Sequence, residues 1–186
     1  MSFEAEKFIF GHIPKCGGTF IKKVSKHIDI VKTDYSGEFG YHAPIYTFNE
    51  ELPILISIRH PYGWYISQYN FLKHTGWRYG VNYGDFNKWF DVVVCENLTL
   101  TKKYYDIMGC CRNEDYVIKV EHLRDGYIKF LYNIGYDLSD RKIQIIKKHP
   151  KENISTNGSN IELSSLQKEK VRQVDAEIFK RYSFIS

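Results

Sequence analysis

The residues best suited to chemistry are Lys15, Cys16, Gly17, Gly18, Thr19 and Phe20, which follow the apolar run Phe8-Ile9-Phe10-Gly11-His12-Ile13-Pro14. Phe20, Ile21, Val24 and Ile28 recur at helical spacing, so a helix is expected to start near Gly18 or Thr19. A strand, a glycine turn and a helix together aim main-chain N–H groups and a helix N-terminus at an anion. Paired glycines put no Cβ between the main chain and that anion, and Lys15 adds a mobile full charge. The chemistry to expect is phosphate or sulfate binding. A tight turn beside a solvated lysine carries the same sequence signature, so this stretch alone leaves both readings open. The order is not that of a Walker A loop, because Lys15 precedes the glycines and no lysine precedes Thr19.

A second group lies at Arg59-His60-Pro61, where the most continuous apolar run of the chain, Ile54-Leu55-Ile56-Ser57-Ile58, ends. Such a run reads as a central strand buried on both faces, and Pro61 suits the first position of a following helix. In that helix Tyr62, Tyr65, Ile66, Tyr69 and Leu72 form a bulky face, while Gly63, Ser67, Asn70 and His74 form a smaller polar one. Arg59 and Ser67 can therefore converge on one ligand at the carboxyl end of the strand, where open α/β sheets bind. Between the two groups sits His42, in Gly40-Tyr41-His42-Ala43-Pro44. Pro44 argues against a helix there, and irregular segments commonly display functional side chains.

These groups need elements to position them. A short strand is expected near 28–31, a loop over 33–40, and a covering loop over 76–84 with Trp77, Arg78, Tyr79 and Tyr83. Asp85 is placed to cap a helix over 86–94, and Asn97 or Thr99 one reaching about Met108. Residues 116–120 read as a strand, 122–134 as a helix ended by Gly135, and 140–148 as a short helix stopped by Pro150. Residues 151–160 read as a polar loop. A last helix, with Ser164 and Gln167 set for a capping box, runs to about Arg181. Alternating strands and helices imply an α/β fold with a central, mostly parallel sheet flanked by helices. At 186 residues the chain suits one domain, 1–186, with a sizeable core. The 15 Tyr and 12 Phe can supply much of that core.

Bulk properties narrow the partners. A net charge of +4 with scattered lysines argues against nucleic acid and fits a polyanionic small molecule. No apolar run approaches the length of a membrane span, and residues 1–10 lack the apolar core of a signal peptide. Cys16, Cys95, Cys110 and Cys111 show no paired metal spacing, and adjacent Cys110-Cys111 is a poor disulfide candidate. Reduced thiols in a cytoplasmic protein are the economical expectation.

Two separated stretches fit one template. His12-Ile13-Pro14-Lys15-Cys16-Gly17-Gly18-Thr19 resembles the Pro-Lys-Thr/Ser-Gly-Gly-Thr loop of sulfotransferases that use 3′-phosphoadenosine 5′-phosphosulfate (PAPS). Arg59-His60-Pro61, with Ser67 eight residues after the arginine, resembles that family's second signature. Glu121-His122-Leu123 and Asn153-Ile154-Ser155 are weaker echoes of its Glu-x-Leu strand end and late Asn-x-Ser loop. The closest flavour is the branch that modifies carbohydrates and other Golgi-type acceptors, here without a membrane anchor.

The resemblance implies a three-layer, P-loop-like fold and transfer of a sulfuryl group from PAPS to an acceptor hydroxyl. It implies 3′,5′-ADP as product and no metal. The amides from Cys16 to Phe20 and the Lys15 side chain would hold the 5′-phosphosulfate, while Arg59 and Ser67 would hold the 3′-phosphate. Cys16 stands where the family usually has Thr or Ser, and His60 where Asp is common. Sulfuryl transfer moves a highly charged group between two oxygens, so catalysis rests on positioning and charge stabilisation. Lys15 would neutralise the bridging oxygen. His42 is the expected general base and Glu38 the competitor, while His12 reads as a packing residue. The acceptor is a glycan, a peptide or a small alcohol. The rival readings are a PAPS- or nucleotide-binding protein without turnover and a P-loop kinase. The kinase lacks its Gly-Lys-Ser/Thr order here, and no Mg²⁺-binding carboxylate motif stands out.

Overall fold

In a computed structural model, which describes residues 2–34, 42–48, 51–75, 84–109, 113–150 and 161–185, the chain is mixed α/β. Strand β1 (Phe3–Ala5) turns back into β2 (Ile9–Gly11), which leads to helix α1 (Gly18–His27), β3 (Val31–Asp34) and β4 (Ile54–Ile58). Helices α2 (Pro61–His74), α3 (Phe86–Cys95) and α4 (Leu100–Met108) precede β5 (Tyr116–Lys119). Then come α5 (Leu123–Asn133), α6 (Asp140–Lys148), α7 (Ser165–Val174) and α8 (Ala176–Arg181). The chain forms two compact units, Met1–Arg59 with Tyr105–Asn153, and His60–Tyr104 with Ile154–Ser186.

The first unit carries the five-stranded sheet, in the order β3-β1-β2-β4-β5. β4 pairs in parallel with β2 and with β5, while β1 is antiparallel to both its neighbours. The sheet is therefore mixed, where alternation of strands and helices suggests a mostly parallel one. The cause is local. Only Glu6, Lys7 and Phe8 separate β1 from β2, and the Ala5 N–H donates to the Phe8 carbonyl (2.8 Å). So short a link can make a hairpin but not a parallel crossover. β3 starts at Val31, later than the sequence suggests, because Asp29 turns the chain out of α1 at φ +61°.

All five residues of β4 are buried, as its unbroken apolar run requires. On one side of the sheet Phe3, Phe8, Phe10 and Leu55 pack with Phe20, Ile21 and Val24 of α1, Tyr127, Phe130 and Leu131 of α5, and Ile146 of α6. Ser25 of α1 donates to the Ile21 carbonyl and shares a 2.6 Å hydrogen bond with the buried Tyr127 hydroxyl. The opposite side is closed at β2 by Ile45 and Ile107, which sit where a methyl on Gly11 would fall.

The second unit is helical, and much of the aromatic content goes into it. Tyr65 and Tyr69 of α2 pack with Phe86, Trp89 and Phe90 of α3 at centroid separations of 5.3 to 6.4 Å. Asp85 caps α3 by accepting from the Lys88 N–H, Thr99 accepts from the Lys102 N–H ahead of α4, and Ser164 with Gln167 forms the capping box of α7. The expected single terminal helix is instead two, α7 and α8, broken at Asp175. That carboxylate is fully buried. It accepts from the Tyr65 hydroxyl (2.8 Å) and from the Thr101 N–H (2.7 Å), contacts that a residue facing out of a straight helix would not make.

Burial pushes the Asp175 carboxyl above its usual range, partly offset by the Thr101 and Tyr65 hydrogen bonds. A raised folded-state pKa means that the folded form keeps the proton longer than the unfolded chain, so stability falls as pH climbs from the unfolded value through the raised one. Urea unfolding of Asp175→Ala is expected to show a loss of about 2 to 4 kcal/mol, from stranding two buried donors. Asp175→Asn should flatten this part of the pH dependence. An unchanged midpoint in Asp175→Ala would show that the network carries no stability.

Candidate functional site

The candidate site lies in the first unit, where β2 runs into α1. β2 and β4 are paired Ile9↔Ile54, Phe10↔Leu55 and Gly11↔Ile56, so the chain leaves both strands at the same end of the sheet. His12 to Gly17 follow β2 there, and Arg59 follows β4. Arg59 Nε donates to the Lys15 carbonyl (2.8 Å), and the Arg59 main-chain amide meets the Cys16 thiol. Lys15 has φ +61°, a conformation that is rare for a residue with a side chain. The hydrogen bond from Arg59 holds it there. Helix α1 then begins on Gly17, itself left-handed at φ +83°, with no side-chain cap. Its first amides have no acceptor within the helix and present the positive end of the helix dipole.

The electrostatics follow from this geometry. Lys15 is half-buried and its pKa is lowered to about 8, first by burial and then by the facing Arg59 guanidinium. Two cations held together beside a helix N-terminus are in a costly arrangement that an anion would relieve. Cys16 has no exposed surface, and its thiol is pushed up to about 12, chiefly by burial. Arg59 and Lys15 act against that rise, and Glu121 adds to it. Cys16 is thus a neutral thiol packed under the loop. The sulfur accepts the Arg59 amide, which gives the unexpected residue a structural place.

The glycines are explained differently from the close approach of an anion. A methyl built on Gly17 would lie 2.7 Å from Leu123 Cδ2, and one on Gly18 would collide with Cδ2 and Nε2 of the His12 ring. The space left by the missing Cβ atoms is filled by the protein's own side chains. Leu123 therefore touches the turn from beyond β5, and Glu121 acts on the Cys16 thiol through its charge. Sequence reading caught them only as the faint Glu-x-Leu echo.

His12 is buried, as expected of a packing residue, and stacks on His42 with ring centroids 4.7 Å apart and planes 22° apart. His42 is exposed, and its Nδ1 lies 3.1 Å from the His12 carbonyl oxygen. A carbonyl can only accept, so Nδ1 carries the proton in this contact and Nε2 of the neutral ring bears the lone pair. That is the tautomer of a proton acceptor at Nε2.

The structure brings together Lys15, Cys16, Gly17, Gly18 and Arg59, with His12 touching both Gly18 and His42. Thr19 and Phe20 lie in the first turn of α1. Ser67 lies on α2, in the second unit. His60 caps α2, its Nδ1 accepting from the Tyr62 N–H (3.3 Å) while its Nε2 donates to the Ile185 carbonyl (3.0 Å). It fills the capping role that an aspartate could take. His74 ends α2, and His122 precedes α5. Glu38, Trp77, Arg78, Tyr79, Tyr83, Cys110, Cys111, Asn153 and Ser155 lie outside the described residues. Among the described residues no helix is long and apolar enough to cross a membrane.

No family model, curated protein or solved structure matches the chain.

Burial and the raised pKa set the reactivity of the thiols. At pH 8 iodoacetamide is expected to alkylate the exposed Cys95 and leave Cys16 unmodified until denaturant is added, as read by peptide mass mapping. Labelling of Cys16 in the folded protein at the rate of Cys95 would contradict its burial.

Proposed function

We propose that this chain is a PAPS-dependent sulfotransferase that moves a sulfuryl group to an acceptor hydroxyl, a carbohydrate hydroxyl first among the candidates. The observation that carries the reading is the clamp between Arg59 and the Lys15 carbonyl, which sets two cations beside the start of α1. The order of the two sequence signatures narrows the anion from any phosphate to a sulfate donor. On this reading the fold is the three-layer, P-loop-like one, with the β1 hairpin as a local departure.

In the proposed reaction Lys15 neutralises the oxygen bridging sulfur and phosphorus, and the amides from Cys16 to Phe20 bind the 5′-phosphosulfate. The Arg59 N–H groups beyond Nε meet the 3′-phosphate. Nε2 of His42 takes the proton of the acceptor hydroxyl. That oxygen forms a bond to sulfur as the bridging sulfur–oxygen bond breaks, and 3′,5′-ADP leaves with the electron pair. The second reading, a nucleotide-binding protein without turnover, uses the same clamp and differs only in having no acceptor.

Calorimetry with 3′,5′-ADP, followed by radiolabelled-sulfate transfer across glycans, peptides and small alcohols, tests the proposal. Binding with transfer is expected. Binding without transfer to any acceptor selects the second reading, and absence of binding removes both. Lys15→Ala should lower turnover by at least about a hundredfold, roughly 3 kcal/mol. His42→Ala should abolish most transfer while Glu38→Ala does not, and the reverse result would exchange their roles. A bound dianion raises the Lys15 pKa from about 8. Binding above that pH must therefore take up a proton, and affinity for 3′,5′-ADP should fall by up to about tenfold per pH unit beyond it. Lys15→Met should remove that slope.

A further inference from the structure

His12 was expected to do no more than pack, yet it is the residue that joins the turn to the candidate base. Its ring fills the space beside Gly18 at the first position of α1, so closely that a glycine is required there. His42 stacks on the same ring at 4.7 Å, nearly parallel. Phe10 stacks with the same ring at 6.3 Å and 25°. The His12 carbonyl, meanwhile, receives the proton of His42 Nδ1. One residue thus supplies both a flat surface and an acceptor, and the two constraints act on different degrees of freedom of the His42 side chain. Stacking fixes the plane of the ring, and the carbonyl chooses which nitrogen bears the proton.

We propose that His12 is a positioning residue, packed against Gly18 and stacked with His42, that holds the His42 imidazole in the Nδ1-protonated tautomer with a basic Nε2. The inference rests on His42 being the proton acceptor of the reaction proposed above, although the tautomer itself can be observed whether or not transfer occurs. It explains a pairing that motif reading leaves unconnected. Gly18 is small because His12 stands against it, and His12 stands there so that the helix start and the base share one support. His42 is exposed, and stacking on His12 restricts the orientations that its ring samples.

The test is long-range ¹H–¹⁵N correlation on protein labelled at histidine nitrogens, with the His42 signals identified by their loss in His42→Gln. In the wild type His42 is expected as a single Nδ1-protonated species. His12→Phe keeps a flat ring against Gly18 and keeps the carbonyl, so the same pattern should persist. His12→Ala removes the ring, and the His42 signals should move toward averaged tautomers. Where His12→Ala does not fold, Gly18→Ala serves instead, because its methyl displaces the ring while leaving His12 in place. In transfer assays, His12→Ala should lower kcat by about tenfold to a hundredfold and leave KM for PAPS within about twofold, with His12→Phe close to the wild type. An Nδ1-protonated His42 unchanged in both His12→Ala and Gly18→Ala would overturn the proposal, as would a wild type whose His42 is protonated at Nε2. A wild type with the expected tautomer but no transfer to any acceptor would keep the positioning role and remove only the sulfotransferase reading.

Discussion

The arrangement depends on the parallel pairing of β2 with β4. Parallel strands end at the same edge of a sheet, and here that edge receives both the turn after Gly11 and the arginine after Ile58. The Lys15 carbonyl can then reach Arg59 Nε although 44 residues separate them in sequence. An antiparallel pairing would put the two ends on opposite edges. The reversed β1 costs the site nothing, because the reversal is confined to the far side of β2.

Holding a lysine in the left-handed region while an arginine faces it runs against both backbone preference and Coulomb repulsion. The arginine offsets the first by its hydrogen bond and creates the second by its charge. Natural proteins tolerate such conflicts mainly where a ligand resolves them. Glycine does the complementary work. Gly17 admits the positive φ and the contact with Leu123, and Gly18 admits His12, so the turn is packed from beneath by side chains while its amides stay on the helix end.

Much of this was legible in the chain. Periodicity in Phe20, Ile21, Val24 and Ile28 gave the buried face of α1, and the unbroken run 54–58 gave β4, because both signals are local. Caps at Asp85, Thr99 and Ser164 fixed helix starts for the same reason. What stayed hidden depends on contacts between distant segments. Phe3–Ala5 is three residues long and becomes a strand only through partners on both sides. Leu123 against Gly17 and His12 against Gly18 are packing facts with no local pattern. Asp175 interrupts an otherwise regular terminal helix because its carboxylate finds Tyr65 and Thr101, residues 110 and 74 positions away. The two signature stretches stood out in the sequence, but the division of labour within them, with Arg59 holding Lys15 and His60 capping α2, required geometry.

The chain order of the two units has a bearing on synthesis. The second unit begins at His60 and the first resumes at Tyr105, so the segment between them is an insertion in the sheet-bearing unit. A nascent chain that has emerged as far as β4 holds four of the five strands, with one edge of β4 bare until β5 appears more than fifty residues later. Leu55 and the apolar face around it meanwhile await α5. Vectorial growth therefore exposes an unpaired parallel edge for the time needed to make the helices of the insertion, the interval in which a ribosome-bound chaperone would protect it.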